Sequence, residues 1–164
     1  MRFAFSIAVT VAFVLLQSTV AHEYMKFKGV IPDLSLIAII FLANKNGKIL
    51  GETSGFAAGL VEDILSTSSL GFHAIIKTLM GFLAGSTFGV IFMGSLFMPM
   101  LMTGVATILK CLLTSVLVVI TSEPGITSFF SLATLIEVGY NMVLAPFIFA
   151  LLGFLKVLVP GVRN

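Results

Sequence analysis

"GFAAGLVEDILSTSSLGFHAIIK", residues 55 to 77, decides how the rest of the chain is read. Two apolar, glycine-bearing runs flank a short turn rich in Ser and Thr. Glu62, Asp63, His73 and Lys77 fall within sixteen residues around that turn. Apolar run, polar turn, apolar run is the pattern of a membrane hairpin, and its ionisable groups gather near the turn.

The wider composition agrees with a membrane setting. Of 164 residues, 59% are hydrophobic and only 10% charged, with a mean hydropathy of +1.18. Soluble domains carry about 25% charged residues, so the chain falls in the membrane class. A span takes roughly 20 apolar residues, which leaves room for about five or six short passes and no separate soluble domain. A net charge of +2 with scattered basic residues offers no footprint for nucleic acid. The single Cys111 rules out an intrachain disulfide and argues against a cysteine-based metal site. Sixteen Phe, two Tyr and no Trp make a weak aromatic belt, so span ends are read from charges and turns.

The reading is an all-α membrane protein of six transmembrane helices, one integral domain over residues 1–164. The expected spans are about 3–21, 31–43, 49–65, 72–93, 97–120 and 129–158. The first is read as an uncleaved anchor, with a signal peptide cut after Ala21 as the rival. The second is short for a full span, and Pro32 suits its first turn while Asp33 complements the positive end of the helix dipole. "NKNGK", residues 44 to 48, reads as a turn. Pro99 fits the first turn of the fifth span, and Pro124-Gly125 marks a tight turn before the sixth. The sixth is too long for one straight pass, so Pro146 is expected to kink it or its end to lie along the interface. No fixed-period repeat is evident.

Orientation follows the Lys/Arg bias of short loops. Arg2, Lys45, Lys48, Lys156 and Arg163 collect on the side of the termini, and Lys26 and Lys28 on the other. Five against two places both termini in the cytoplasm.

Charges inside a membrane are costly and face protein or water. Asp63 lies three residues before Ser66, and Lys77 six after Gly71. At 1.5 Å per residue their depths differ by roughly 5 Å, within reach of a lysine stem. Glu62 or Asp63 is therefore expected to pair with Lys77 across the hairpin, with His73 one turn away on the same face. These groups read either as a partly wet structural cap or as a functional polar site. Lys110 and Glu137 lie at matching depth on the last two spans and form a second expected pair, with Asn141 one turn from Glu137. Pairing is the usual way such charges are tolerated, so a structural clamp is favoured over a transport path.

Glycines recur every fourth residue at Gly51, Gly55 and Gly59, and again at Gly81, Gly85 and Gly89. Small faces of this kind let helix backbones approach closely. They read as packing within one bundle, with a partner surface as the alternative. No residues form a recognised catalytic constellation, metal-ligand set or cofactor-binding motif, so no catalytic, cofactor or metal residue is assigned.

"PDLSLIAIIFLA", "GETSGFAAGLVEDILSTSSLGFHAI" and "YNMVLAPFIFALLGFL" resemble the MreD family of bacterial rod shape-determining membrane proteins. The likeness covers most of the chain after residue 30. Its most specific part runs from Gly55 to Asp63 with Ser66, Leu70 and Gly71, and Asn141 and Pro146 add to it. Glu62, where an apolar residue is expected, and Thr67, where glycine is common, depart from the pattern. The resemblance implies a six-helix inner-membrane protein of the cell-wall elongation machinery, working beside MreC, the MreB filament, the RodA glycosyltransferase and a penicillin-binding transpeptidase. It also implies a bundle like the substrate-binding components of energy-coupling-factor vitamin transporters. The expectation is a non-enzymatic scaffold and regulator in contact with membrane lipids. The alternative is a solute-binding transporter component whose pocket Glu62, Asp63, His73 and Lys77 line. A lipid-processing enzyme, the third class, lacks a catalytic constellation.

Overall fold

The structure, a computed structural model, describes residues 2–66, 68–88, 97–121, 131–155 and 158. Thr67, Gly89, Pro124, Gly125, Lys156 and Arg163 lie outside the described residues. Among those described there are six main helices. Helix α1 (Arg2–Leu16) continues through a π-helical turn (Gln17–Ala21) into a last short turn (His22–Tyr24). It is followed by α2 (Leu34–Asn46), α3 (Lys48–Leu65), α4 (Phe72–Ser86), α5 (Phe97–Thr121) and α6 (Leu132–Phe154).

Three helical segments are long and apolar enough to cross a membrane by length and composition: Phe3–Ala21, Phe97–Thr121 and Leu132–Phe154. Helices α2 and α4 are apolar but shorter, and α3 carries Lys48, Glu52, Glu62 and Asp63. The difference from six equivalent spans has its reason in α2. Its 13 residues rise only about 20 Å, against a hydrocarbon core of about 30 Å. Ten of those residues, Ser35 through Asn44, are buried, and α2 packs against all five other helices. A helix apolar on every side is a core helix. The continuous run "LIAIIFLA" therefore faces protein in all directions. Phe41 meets Phe149 of α6 edge to face, with ring centroids 5.3 Å apart.

Helix boundaries shift from the sequence reading in physically legible ways. Helix α2 begins at Leu34, after Pro32, because Asp33 is its N-cap and accepts the free N–H of Leu36 at 3.0 Å. The expected five-residue turn at 44–48 contracts to Gly47, whose φ of +89° only glycine adopts without strain. Asn44 and Asn46 stay helical because their side chains find partners. Asn44 Nδ2 donates to Thr87 Oγ1 at 3.1 Å, and Asn46 Nδ2 to the carbonyls of Leu42 and Leu158. Helix α6 is shorter than the expected 129–158, running from the Ser131 cap to Phe154 with Pro146 inside it.

Among the described residues, helices α3 and α4 make the most extensive contact of the bundle. Gly51, Gly55 and Gly59 of α3 face Gly81, Lys77 and Ala74 of α4. A Cβ built on Gly59 would lie 2.5 Å from the Ala74 Cα, and one on Gly85 would lie 2.5 Å from the Lys48 Cα. The two small-residue stripes thus spend their surface on each other, as small residues do where backbones must approach.

Candidate functional site

Four helix ends converge at one end of the bundle: the close of α1, the start of α2, the close of α3 and the start of α4. Helices α5 and α6 reach the same place through Lys110 and Glu137. The result is a chain of alternating charge, Glu62–Lys77–Asp33–Lys110–Glu137.

Asp33 is its centre. As the cap of α2 it accepts from the Leu36 N–H and from the Ser35 hydroxyl at 2.9 Å. Its two carboxylate oxygens divide the lysines, with Lys77 Nζ 3.2 Å from Oδ1 and Lys110 Nζ 3.2 Å from Oδ2. Its backbone N–H donates to Asn141 Oδ1 at 2.9 Å, and Asn141 Nδ2 donates to Thr107 Oγ1 at 3.1 Å. Side chains of α4, α5 and α6 therefore all bind one residue at the tip of α2.

Among the described residues Lys77 is the largest fully buried side chain, at 1% exposure. An unpaired ammonium there would cost several kcal/mol. Glu62, Asp33 and the Ser35 hydroxyl surround it. Lys110 pairs with Glu137 in the same way, and Cys111 Sγ lies 3.8 Å from the other Glu137 oxygen.

The two neighbouring acids divide their work. Glu62 pairs with Lys77, and it accepts from Gln17 Nε2 at 3.4 Å. Asp63 instead caps α4. It accepts the backbone N–H groups of Gly71 and His73, each at 2.8 Å, and of Ala74 at 3.2 Å. The His73 ring lies 2.9 Å from the same carboxylate. A helix start presents free N–H groups and a positive partial charge, and a buried carboxylate answers both. Asp63 is only 4% exposed, so this end is drier than a solvent-washed cap.

The structure joins what the sequence presented as two separate pairs. It brings Glu62, Lys77, Lys110 and Glu137 into one chain, places Asp63 and His73 at its flank, and puts Asn141 behind Asp33. The glycines Gly51, Gly55, Gly59, Gly81 and Gly85 sit in the α3–α4 contact. Sequence reasoning missed Asp33 as the hub, along with Ser35, Thr107 and Gln17. Gln17 reaches the cluster from the π-helical turn, where its Oε1 accepts the Ser35 N–H at 3.2 Å. Such turns shift side chains out of α register. The signal for Asp33 was present: a lone acid directly before an all-apolar run is either exposed or a buried cap.

The charged chain borders a cavity of about 350 Å³. Gln17, Asp33, Glu62, Lys110 and Glu137 line it, with Thr114, Ser115 and Thr134 adding hydroxyls. Among the described residues no group of His, Cys, Asp and Glu is arranged to hold a metal ion.

A family model, rod shape-determining protein MreD, matches residues 1–155. The match spans nearly the whole chain, and the protein belongs to the MreD family. Membership implies a role in rod-shape determination, and with the apolar helices it makes this a membrane protein. Neither the curated proteins nor the solved structures give a match.

Proposed function

We propose that this MreD-family chain is a non-enzymatic scaffold and regulator of the cell-wall elongation machinery, acting with an MreC-type protein in the bacterial inner membrane. The family match over residues 1–155 carries the reading. The geometry supports it, because the ion pairs of the buried cluster link one helix of the chain to another. Asp33, Lys77 and Lys110 bind α2 to α4 and α5, an arrangement suited to holding a fixed shape for partners.

In this reading the domain spans residues 1–164, crosses the membrane several times and keeps both termini in the cytoplasm. The MreB filament, the RodA glycosyltransferase and a penicillin-binding transpeptidase are the further candidate partners. The relation to energy-coupling-factor substrate-binding components belongs to the same proposal and rests on the family resemblance alone.

The test is depletion of the protein in its rod-shaped host, followed by re-expression from a tagged copy. Rods should round up on depletion and recover on re-expression, and the MreC-type protein should co-purify with the tag. Cells that keep their shape after depletion, or a folded tagged protein that recovers no MreC-type partner, would count against the scaffold reading.

A further inference from the structure

Glu52 stands apart from the buried cluster, at the outer edge of the α3–α4 contact. It is half-buried, and among the described residues it makes no hydrogen bond or ion pair. Its polar neighbours on the two helices satisfy themselves. Thr53 Oγ1 donates to the Ile49 carbonyl at 2.9 Å, Thr78 Oγ1 to that of Ala74 at 2.6 Å, and Ser86 Oγ to that of Phe82 at 3.0 Å. A helical hydroxyl can return its proton to its own backbone in this way, and a carboxylate cannot. The cation one turn away, Lys48, holds its Nζ over the Phe82 ring, 5.1 Å from the centroid.

The surface around Glu52 is apolar. On α3, Ile49 on one side of it along the helix is 70% exposed and Phe56 on the other 52%. Across the contact, Leu79 and Phe82 of α4 are also exposed. The glycine packing draws the two backbones together, and the Lys48–Phe82 contact spans them, so α3 and α4 present one joint face. Glu52 lies five residues past Gly47, roughly 7 Å along the helix from that turn. An acid inside a membrane faces protein or water. With exposed apolar side chains both above and below it, protein is the fitting neighbour here.

We propose that this face docks a transmembrane helix of another protein, one that carries a single Lys or Arg at the depth of Glu52. A cation there supplies the charge and the donors that the carboxylate lacks, while Ile49, Phe56 and Phe82 meet apolar side chains of the same helix. A second copy of this chain fits less well. A two-fold axis along the membrane normal brings residues of equal depth together, so it would set Glu52 against Glu52. The inference rests on the scaffold reading for the existence of a partner and adds where one partner binds and by what chemistry.

The test uses the full chain in phosphatidylcholine vesicles with synthetic apolar helices of roughly 20 residues carrying Lys, Gln or Leu at the matching depth. Association is read by energy transfer between labelled protein and labelled helix. The Lys helix should bind about tenfold tighter than the Leu helix, a ratio that one charge-assisted hydrogen bond accounts for. Glu52→Gln, which breaks no internal bond, should bring the two to equal affinity. Equal binding of the Lys and Leu helices by the wild-type protein overturns the proposal, whatever the variant does. So does a Lys preference that survives Glu52→Gln, or a Gln helix that binds as tightly as the Lys helix. Energy transfer between two copies of the chain that Glu52→Gln abolishes would make the occupant a second copy, and would also overturn it. No cellular partner enters this measurement, so its failure is distinct from a failure of the depletion test of the scaffold reading.

Discussion

Lys110 reaches back 77 positions in sequence to place its Nζ 3.2 Å from Asp33 Oδ2 while it also pairs with Glu137. The last two helices are thereby tied to the tip of the central helix as well as to each other. One lysine shared between two acids makes the assembly of α5 and α6 depend on the placement of α2.

Asp33→Asn should be among the most damaging single changes. It removes the charge between two buried ammonium groups, although each keeps a second carboxylate. The expected cost is about 3 kcal/mol, the lower end for breaking a buried pair. Thermal unfolding of the detergent-solubilised protein measures it. A midpoint unchanged from wild type would mean that Asp33 does not hold the lysines in place.

Lys110→Met leaves both Glu137 and Asp33 short of a partner and should cost about 3 to 5 kcal/mol. Adding Glu137→Leu removes one of those orphaned charges and should recover part of the loss. It should not recover all of it, because Asp33 still lacks Lys110. The folded fraction by size-exclusion chromatography reports the order: wild type, then the double variant, then Lys110→Met. A double variant no better than the single one would remove the case for coupling.

The α3–α4 contact predicts a contrast between two glycines. Gly59→Ala places a methyl 2.5 Å from the Ala74 backbone and should destabilise by about 1 to 3 kcal/mol through overpacking. Gly139→Ala meets nothing within 4 Å and should be neutral or slightly stabilising, since alanine favours a helix. Equal effects at the two sites would contradict the close backbone approach.

Asp63→Ala withdraws the acceptor from three backbone N–H groups at the start of α4. A lost cap of this kind costs about 2 kcal/mol at the upper end. Hydrogen exchange should then rise first at Gly71, His73 and Ala74. Exchange that stays slow there would show that the turn satisfies those groups without Asp63.

Orientation is checked with single cysteines in a Cys111→Ala background. Tyr24→Cys and Leu70→Cys, both at exposed positions, should react with an impermeant reagent added outside intact cells. Lys48→Cys, at the opposite end of the α3–α4 hairpin, should react only after lysis. Labelling of position 48 from outside would invert the proposed topology.

Much of this architecture was legible in local sequence. The apolar runs and the turns at Gly47 and around Ser66 set six helices, because hydropathy and turn chemistry act over a few neighbouring residues. Matching depths brought Lys77 toward Glu62 and Lys110 toward Glu137, because each pair lies on helices that are consecutive in sequence. The every-fourth spacing of Gly51, Gly55 and Gly59 likewise marked a close-packed face before its partner was known.

The burial of α2 on all sides and the meeting of both lysines at Asp33 were decided by tertiary structure. Hydropathy gives "LIAIIFLA" the same score whether lipid or protein surrounds it. Which charges meet across non-adjacent helices depends on the rotation and depth of each helix, and these are set by packing: by the glycine contact that draws α4 onto α3, and by the π-helical turn that brings Gln17 to Glu62. Asp33 became the hub because a buried carboxylate at a helix start must be neutralised, and the packed bundle placed two lysines within its reach.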